Sequence, residues 1–206
     1  MRPEEILERV HDEVAVCTAC GLHQSRRNAV PGEGPADSEI MFIGEGPGFH
    51  EDQQGRPFVG AAGQFLNELL EKNGFRREDV YITNVVKCRP PGNRDPREDE
   101  IETCTSQYLQ RQIEAINPKV IVTLGRFSMA RYFPNARISG IHGMPRATHG
   151  RMIVPMYHPA AALHQPALRR VVEEDFAKLP ALIAQAGEVD SAAAEEPDKP
   201  EQLSLF

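Results

Sequence analysis

Four cysteines, and three polar residues at the ends of apolar runs, are the parts of this sequence best placed to do chemistry. Cys17 and Cys20 form a C-x2-C pair in a polar loop, with Cys88 and Cys104 far along the chain. A buried thiol is the ordinary reading of a lone cysteine such as Cys88, but it explains a close pair in a polar loop poorly. Disulfides are disfavoured in a reducing cytoplasm. Zinc ribbons normally use two close pairs. One close pair and two separated thiols suit the wider polyhedron of a [4Fe–4S] cluster better. The spacing therefore points to such a cluster, with zinc as the alternative. Its simplest role is to tie the N-terminal loop to the segment after the second strand.

The polar residues sit in three motifs. Gly44-Glu45-Gly46-Pro-Gly48-Phe-His-Glu51-Asp52 follows an apolar run and continues to Gly55-Arg-Pro-Phe58-Val-Gly60. Its glycines let a ligand approach the backbone, yet it is neither a Rossmann nor a P-loop fingerprint. Thr83-Asn84 interrupts an apolar strand, and a buried amide must be hydrogen-bonded or functional. In most proteins such an Asn is a satisfied structural residue. His158-Pro159 closes the last apolar run, and a lone histidine is ordinarily unremarkable.

Alternating strands and helices must position these groups. Strands are predicted at Glu39–Gly44, Val80–Val86, Lys119–Leu124 and Arg151–Tyr157, short apolar runs bounded by turn residues. Helices are predicted at Pro3–Val14, Gly63–Asn73, Pro96–Ile116, Gly125–Phe133 and Ala167–Ala186. The order implies a three-layer α/β/α domain around a four-stranded parallel sheet. Ligands bind such sheets at the carboxyl ends of the strands, which is where Glu45, Asn84 and His158 fall.

The 206 residues suffice for one domain with a proper core. No apolar run approaches a membrane span and no secretory signal opens the chain, so a cytoplasmic protein, monomeric and without a membrane partner, is expected. The formal charge of −7 is concentrated after Gly187, where Glu188, Asp190, Glu195, Glu196, Asp198 and Glu201 face only Lys199. The body's cations are mostly arginine, whose planar donors suit phosphate. The chain thus divides into a folded body, 1–186, and an acidic tail, 187–206, with the composition of a disordered segment.

Gly44-Glu-Gly-Pro-Gly48, Gly55-Arg-Pro-Phe58-Val-Gly60, Tyr81-Ile-Thr-Asn84, Lys87-Cys88-Arg-Pro-Pro and His158-Pro159 together resemble the motifs of family 4 uracil-DNA glycosylases, in the family's order. The four cysteines match that family's cluster ligands one for one, and the resemblance runs from Cys17 to about Leu168. It implies a repair enzyme that flips uracil from DNA and leaves an abasic site. Asn84 would read uracil O4 and N3–H, and Phe58 would stack on the ring. Glu51 would fill the space beside C5, where thymine carries a methyl. His158 would stabilise charge on O2, and Glu45 would offset the cationic sugar and orient water. Gly46 belongs to the same motif, Asn93 matches a polar position of the family, and Leu163 corresponds to a DNA wedge.

The related family X resembles the same fold and cluster but traps the sugar on a loop histidine, and the loop Arg89–Pro96 has none. A non-catalytic cluster-bearing DNA-binding module would have no reason to hold Glu45, Asn84 and His158 at strand ends. Finally, Gln202-Leu203-Ser204-Leu205-Phe206 resembles the bacterial sliding-clamp-binding peptide. That resemblance implies Leu203, Leu205 and Phe206 as apolar anchors and Gln202 as the directional hydrogen-bonding group.

Overall fold

The computed structural model describes residues 1–148 and 150–194. Its centre is a sheet ordered β2-β1-β3-β5-β4. β1 (Ile40–Gly44), β2 (Tyr81–Asn84), β3 (Val120–Leu124) and β5 (Arg151–Met156) run parallel. These are the four expected strands, each trimmed by a residue or more. The sheet has a fifth strand, which corrects the expected count. β4 (Arg146–Thr148) pairs antiparallel with β5 at the edge. Three polar or small residues, mostly exposed, carry no apolar signal that would announce a strand.

The parallel strands are largely buried on both faces, and the pleat sends alternate side chains into two cores. Ile40 and Phe42 pack on one side with Leu66, Leu69, Val172 and Phe176. Met41 and Ile43 pack on the other with Val10, Val14, Leu109 and Ile113. The first core is closed by α3 (Ala61–Lys72), α9 (Ala167–Phe176) and α10 (Leu179–Ala194), and the second by α1 (Pro3–Val16) and α5 (Gln110–Ile116). This is the three-layer α/β/α arrangement.

The long helix expected over Pro96–Ile116 is α4 (Glu98–Cys104) joined to α5 through a π turn, Thr105–Leu109. Glu100 caps α4 by accepting from the Arg97 amide at 2.8 Å. Asn117, at φ 48°, ends α5 in the left-handed conformation that Asn tolerates. After β3, the helix expected to reach Phe133 is α6 (Arg126–Ala130), followed by α7 (Ile138–Ile141).

The expected Ala167–Ala186 helix breaks into α9 and α10, and α10 passes Gly187 to end at Ala194. That corrects the start of coil read from composition: Pro180 is pre-organised for a first helical turn, and the alanines from 192 to 194 favour helix. The peptide from Gln202 to Phe206 lies outside the described residues. Among the described residues, no helix is long and apolar enough to cross a membrane.

Two short helices that periodicity does not reveal sit at strand ends. α2 (Phe49–Gln54) follows β1, and α8 (Pro159–His164) follows β5. Both begin inside motifs that carry the candidate chemistry.

Candidate active site

The carboxyl edge of the sheet opens into a cavity of about 240 Å³ lined by Glu45, Gly46, Glu51, Phe58, Asn84, Asn93 and His158, among others. Seven side chains or backbones singled out in the sequence therefore meet in one place. Leu163 does not line the cavity. It stands 42% exposed on α8, the helix whose first turn contributes Ala160 to the wall.

Asn84 is the last residue of β2 and is buried, and its Oδ1 has no hydrogen-bond partner. A buried acceptor left unpaired costs about 1–3 kcal/mol, so it needs a reason. Gly44, beside it on β1, is required by close approach: a Cβ there would fall on Asn84 Oδ1 and 2.7 Å from the Phe58 ring.

Phe58 has φ 50°, a left-handed conformation costly for a bulky residue. Arg77 holds that turn, its Nη1 donating to the Phe58 carbonyl at 3.0 Å and Nη2 to the Pro57 carbonyl at 2.6 Å. Gly63 packs so tightly under it that a Cβ would collide with the Phe58 carbonyl. The Phe58 ring stacks on His158, with centroids 5.4 Å apart and an interplanar angle of 24°.

His158 caps α8. Its Nδ1 accepts from the Ala160 amide at 3.1 Å, so the proton of the neutral ring belongs on Nε2. Burial pushes its pKa down to about 4, against a small opposing pull from Glu51. At neutral pH His158 is thus an uncharged donor.

Glu51 is fixed by three backbone amides. Oε1 accepts from Val59 at 2.8 Å and Gly60 at 2.9 Å, and Oε2 accepts from Gly48 at 3.1 Å. Its carboxylate is a rigid wall rather than a mobile base. Glu45 differs: burial, reinforced by Asp95 and partly offset by Arg126, raises its pKa. Gly46 is needed because a Cβ would lie 2.7 Å from Val86 Cγ2. Asn93 is exposed at the cavity wall with φ 55°, and its Oδ1 accepts from Arg89 Nε at 2.7 Å.

Sequence reasoning passed over Lys87, which is fully buried below Asn84. Its Nζ donates to Thr83 Oγ1 at 2.6 Å, Gln112 Oε1 at 2.7 Å and the Asn84 carbonyl at 2.8 Å. Burial lowers its pKa to about 7. The available signal was a lysine ending the apolar run Val85-Val86. Arg94 was also missed. It lines the cavity and makes a two-pronged ion pair with buried Glu100, whose pKa the Arg94 hydrogen bond helps bring down to about 2.

Cys17, Cys20, Cys88 and Cys104 line a second cavity together with Val14, Leu22 and Tyr108. Cys104 Sγ accepts from the Lys87 amide at 3.2 Å, and Cys88 Sγ from Arg26 Nη1 at 3.2 Å. Burial raises the pKa of Cys20 and Cys88 and pushes Cys104 up to about 12. Among the described residues, no three His, Cys, Asp or Glu side chains are grouped so as to hold a metal ion.

Comparison with known proteins agrees with this geometry. Residues 31–179 match the uracil DNA glycosylase superfamily. A type-4 uracil-DNA glycosylase of Saccharolobus solfataricus is 52% identical, with 84% of each chain covered. One from Thermotoga maritima is 47% identical over 89% of this chain and 98% of its own. A type-5 uracil-DNA glycosylase of Thermus thermophilus is 29% identical over 63% of this chain. With its motifs gathered at one sheet edge and this degree of likeness along most of its length, the chain belongs to the uracil DNA glycosylase superfamily, alongside the type-4 enzymes.

Proposed function

We propose that this protein is a DNA-repair glycosylase that takes uracil out of the helix into the cavity of about 240 Å³ and hydrolyses its N-glycosidic bond, leaving an abasic site. The observation that carries the reading is the buried, unpartnered Oδ1 of Asn84 in the same cavity as a neutral His158. Asn84 Oδ1 accepts from uracil N3–H while its amide nitrogen donates to O4. Phe58 stacks on the ring. Glu51, pinned by three amides, occupies the space beside C5 and excludes a methyl.

As the bond to the sugar breaks, negative charge collects on the base and positive charge on the sugar. His158 Nε2–H donates to O2 as an oxyanion-hole group would. Being neutral, it gives a hydrogen bond without transferring a proton. Glu45 acts from the sugar side, offsetting the cation and orienting water. Gly46 and Asn93 shape the mouth of the pocket, and Leu163, exposed on α8, wedges into the space the base vacates.

The four cysteines fit a [4Fe–4S] cluster. Burial raises the thiol pKa of Cys20, Cys88 and Cys104, so thiolates there need compensating positive charge, which iron would supply. Cys17, Cys20, Cys88 and Cys104 line one chamber, and one close pair with two separated thiols suits a cluster better than a single ion. The bound cluster would fix the N-terminal loop against the segment holding Cys88 and Cys104.

The enzyme is read as a cytoplasmic monomer that also binds a replication sliding clamp through Gln202, Leu203, Leu205 and Phe206. The direct test is release of uracil from a single-uracil oligonucleotide by the purified protein. Intact glycosidic bonds after prolonged incubation with excess enzyme would end the reading.

A further inference from the structure

Lys87 Nζ is buried with no carboxylate among its hydrogen-bond partners. Three neutral acceptors surround it, Thr83 Oγ1, Gln112 Oε1 and the Asn84 carbonyl, one for each proton an ammonium carries. Each acceptor is free to take that role. Thr83 Oγ1 lies 2.9 Å from the Pro31 carbonyl, to which it donates its own proton. Gln112 spends its amide protons on the Pro31 carbonyl at 2.8 Å and Tyr81 Oη at 3.0 Å. Packing alone gives no cause for this arrangement, because an unpaired buried charge is costly and an apolar chain of the same length would fill the space.

What the arrangement does is visible from its ends. At one end the ammonium grips the backbone of Asn84 at the close of β2, directly behind the amide whose Oδ1 faces the cavity unpartnered. At the other, the Lys87 amide donates to Cys104 Sγ, and the next residue is Cys88. One residue thus touches both the cysteine chamber, through its backbone amide, and the base-reading residue, through its side chain.

We propose that Lys87 is the positioning residue for Asn84: it fixes the backbone from which the base-reading amide projects and joins that backbone to the cysteine chamber. The proposal rests on the role given to Asn84 above. Recognition groups must be held within about 0.5 Å of their working geometry, and Asn84 is hemmed in by Gly44 and Phe58 so closely that a small backbone shift misplaces Oδ1.

The test is a double-mutant cycle on the full-length protein purified with its metal content intact. Single-turnover excision from a uracil oligonucleotide is measured for wild type, Lys87→Met, Asn84→Ala and the pair, with thermal midpoint and bound iron recorded for each. Where Lys87→Met does not fold, Lys87→Gln, which keeps two N–H donors, takes its place. Lys87→Met should slow excision on the order of tenfold, the rate equivalent of one hydrogen bond. In the Asn84→Ala background it should change the rate by less than about twofold, since residues acting as a unit are not additive. Equal slowing in both backgrounds, or no slowing in either, overturns the proposal and leaves the reading of Asn84 standing. Asn84→Ala with wild-type activity overturns that reading, and the proposal with it.

Discussion

Changing His158 tests the most specific electrostatic statement the structure makes. The ring accepts from the Ala160 amide through Nδ1, so Nε2 carries the proton, and burial holds the pKa near 4 rather than its ordinary 6.5. Two consequences follow. His158→Ala removes a neutral donor to the developing uracil anion and should lower the single-turnover rate by on the order of 10²–10³, with DNA affinity close to normal. It also removes the N-cap of α8, a loss of ~1 kcal/mol. His158→Asn, which can restore the cap without placing a donor at Nε2, should therefore recover the melting temperature but not the rate.

The second consequence is a pH signature. Between about pH 4 and 6.5 the unfolded chain binds a proton at this histidine and the folded chain does not. Stability attributable to His158 is therefore full above pH 6.5 and is lost as pH falls through that window, by about 3 kcal/mol in all. Imidazole ¹⁵N shifts should report an Nε2–H tautomer that titrates near pH 4. A midpoint near 6.5, an Nδ1–H tautomer, or an unchanged rate in His158→Ala would refute the assignment.

Four other outcomes are expected. Asn84→Asp substitutes an acceptor for the amide donor facing uracil O4, so uracil excision should fall sharply and cytosine, whose N4 donates, should gain; full uracil activity in a steady-state assay would show that the pocket is misplaced. Gly63→Ala drives a methyl into the Phe58 carbonyl and should cost about 1–3 kcal/mol in denaturant unfolding. Protein purified without air should be brown with about four irons per chain, and Cys104→Ala should lose iron and stability together; one zinc and no colour would contradict the cluster. Truncation before Gln202 should abolish binding to a sliding clamp in a pull-down while leaving excision from short oligonucleotides intact.

The parallel core was legible because its strands are fully buried and read as unbroken apolar runs, as with Ile40–Ile43 and Val120–Leu124. Asn84 was legible as a polar residue inside an apolar strand, and His158 as a histidine closing the last apolar run. The short helices were not, since α2 and α8 are held by single contacts: Glu51 reaching back to Gly48, and His158 accepting from Ala160. Nor was the setting of Lys87. Its partners depend on Gln112 and Pro31, brought together only when α5 and the loop before β1 pack across β2. Charge composition was least informative, because the acidic excess is concentrated after Gly187 in the sequence, outside the motifs that carry the candidate chemistry.

The pocket walls are set before any ligand arrives. The left-handed turn at Phe58 carries a cost of about 1–3 kcal/mol, offset by two hydrogen bonds from charged Arg77. Glu51 is immobilised by three amides and His158 by its cap. Against these satisfied groups, Asn84 Oδ1 stands out as a buried pocket atom without a partner. In the proposed function that contrast would make it a discriminator. Uracil presents a proton at N3 and repairs the deficit. Cytosine presents a lone pair at N3, so the deficit remains and a repulsion is added. A site that leaves a buried acceptor waiting rejects a base lacking the matching proton far more strongly than apolar shape alone can. Thymine has that proton, so under the proposed reading Asn84 would not reject it, and its exclusion would fall to the Glu51 carboxylate held by three amides.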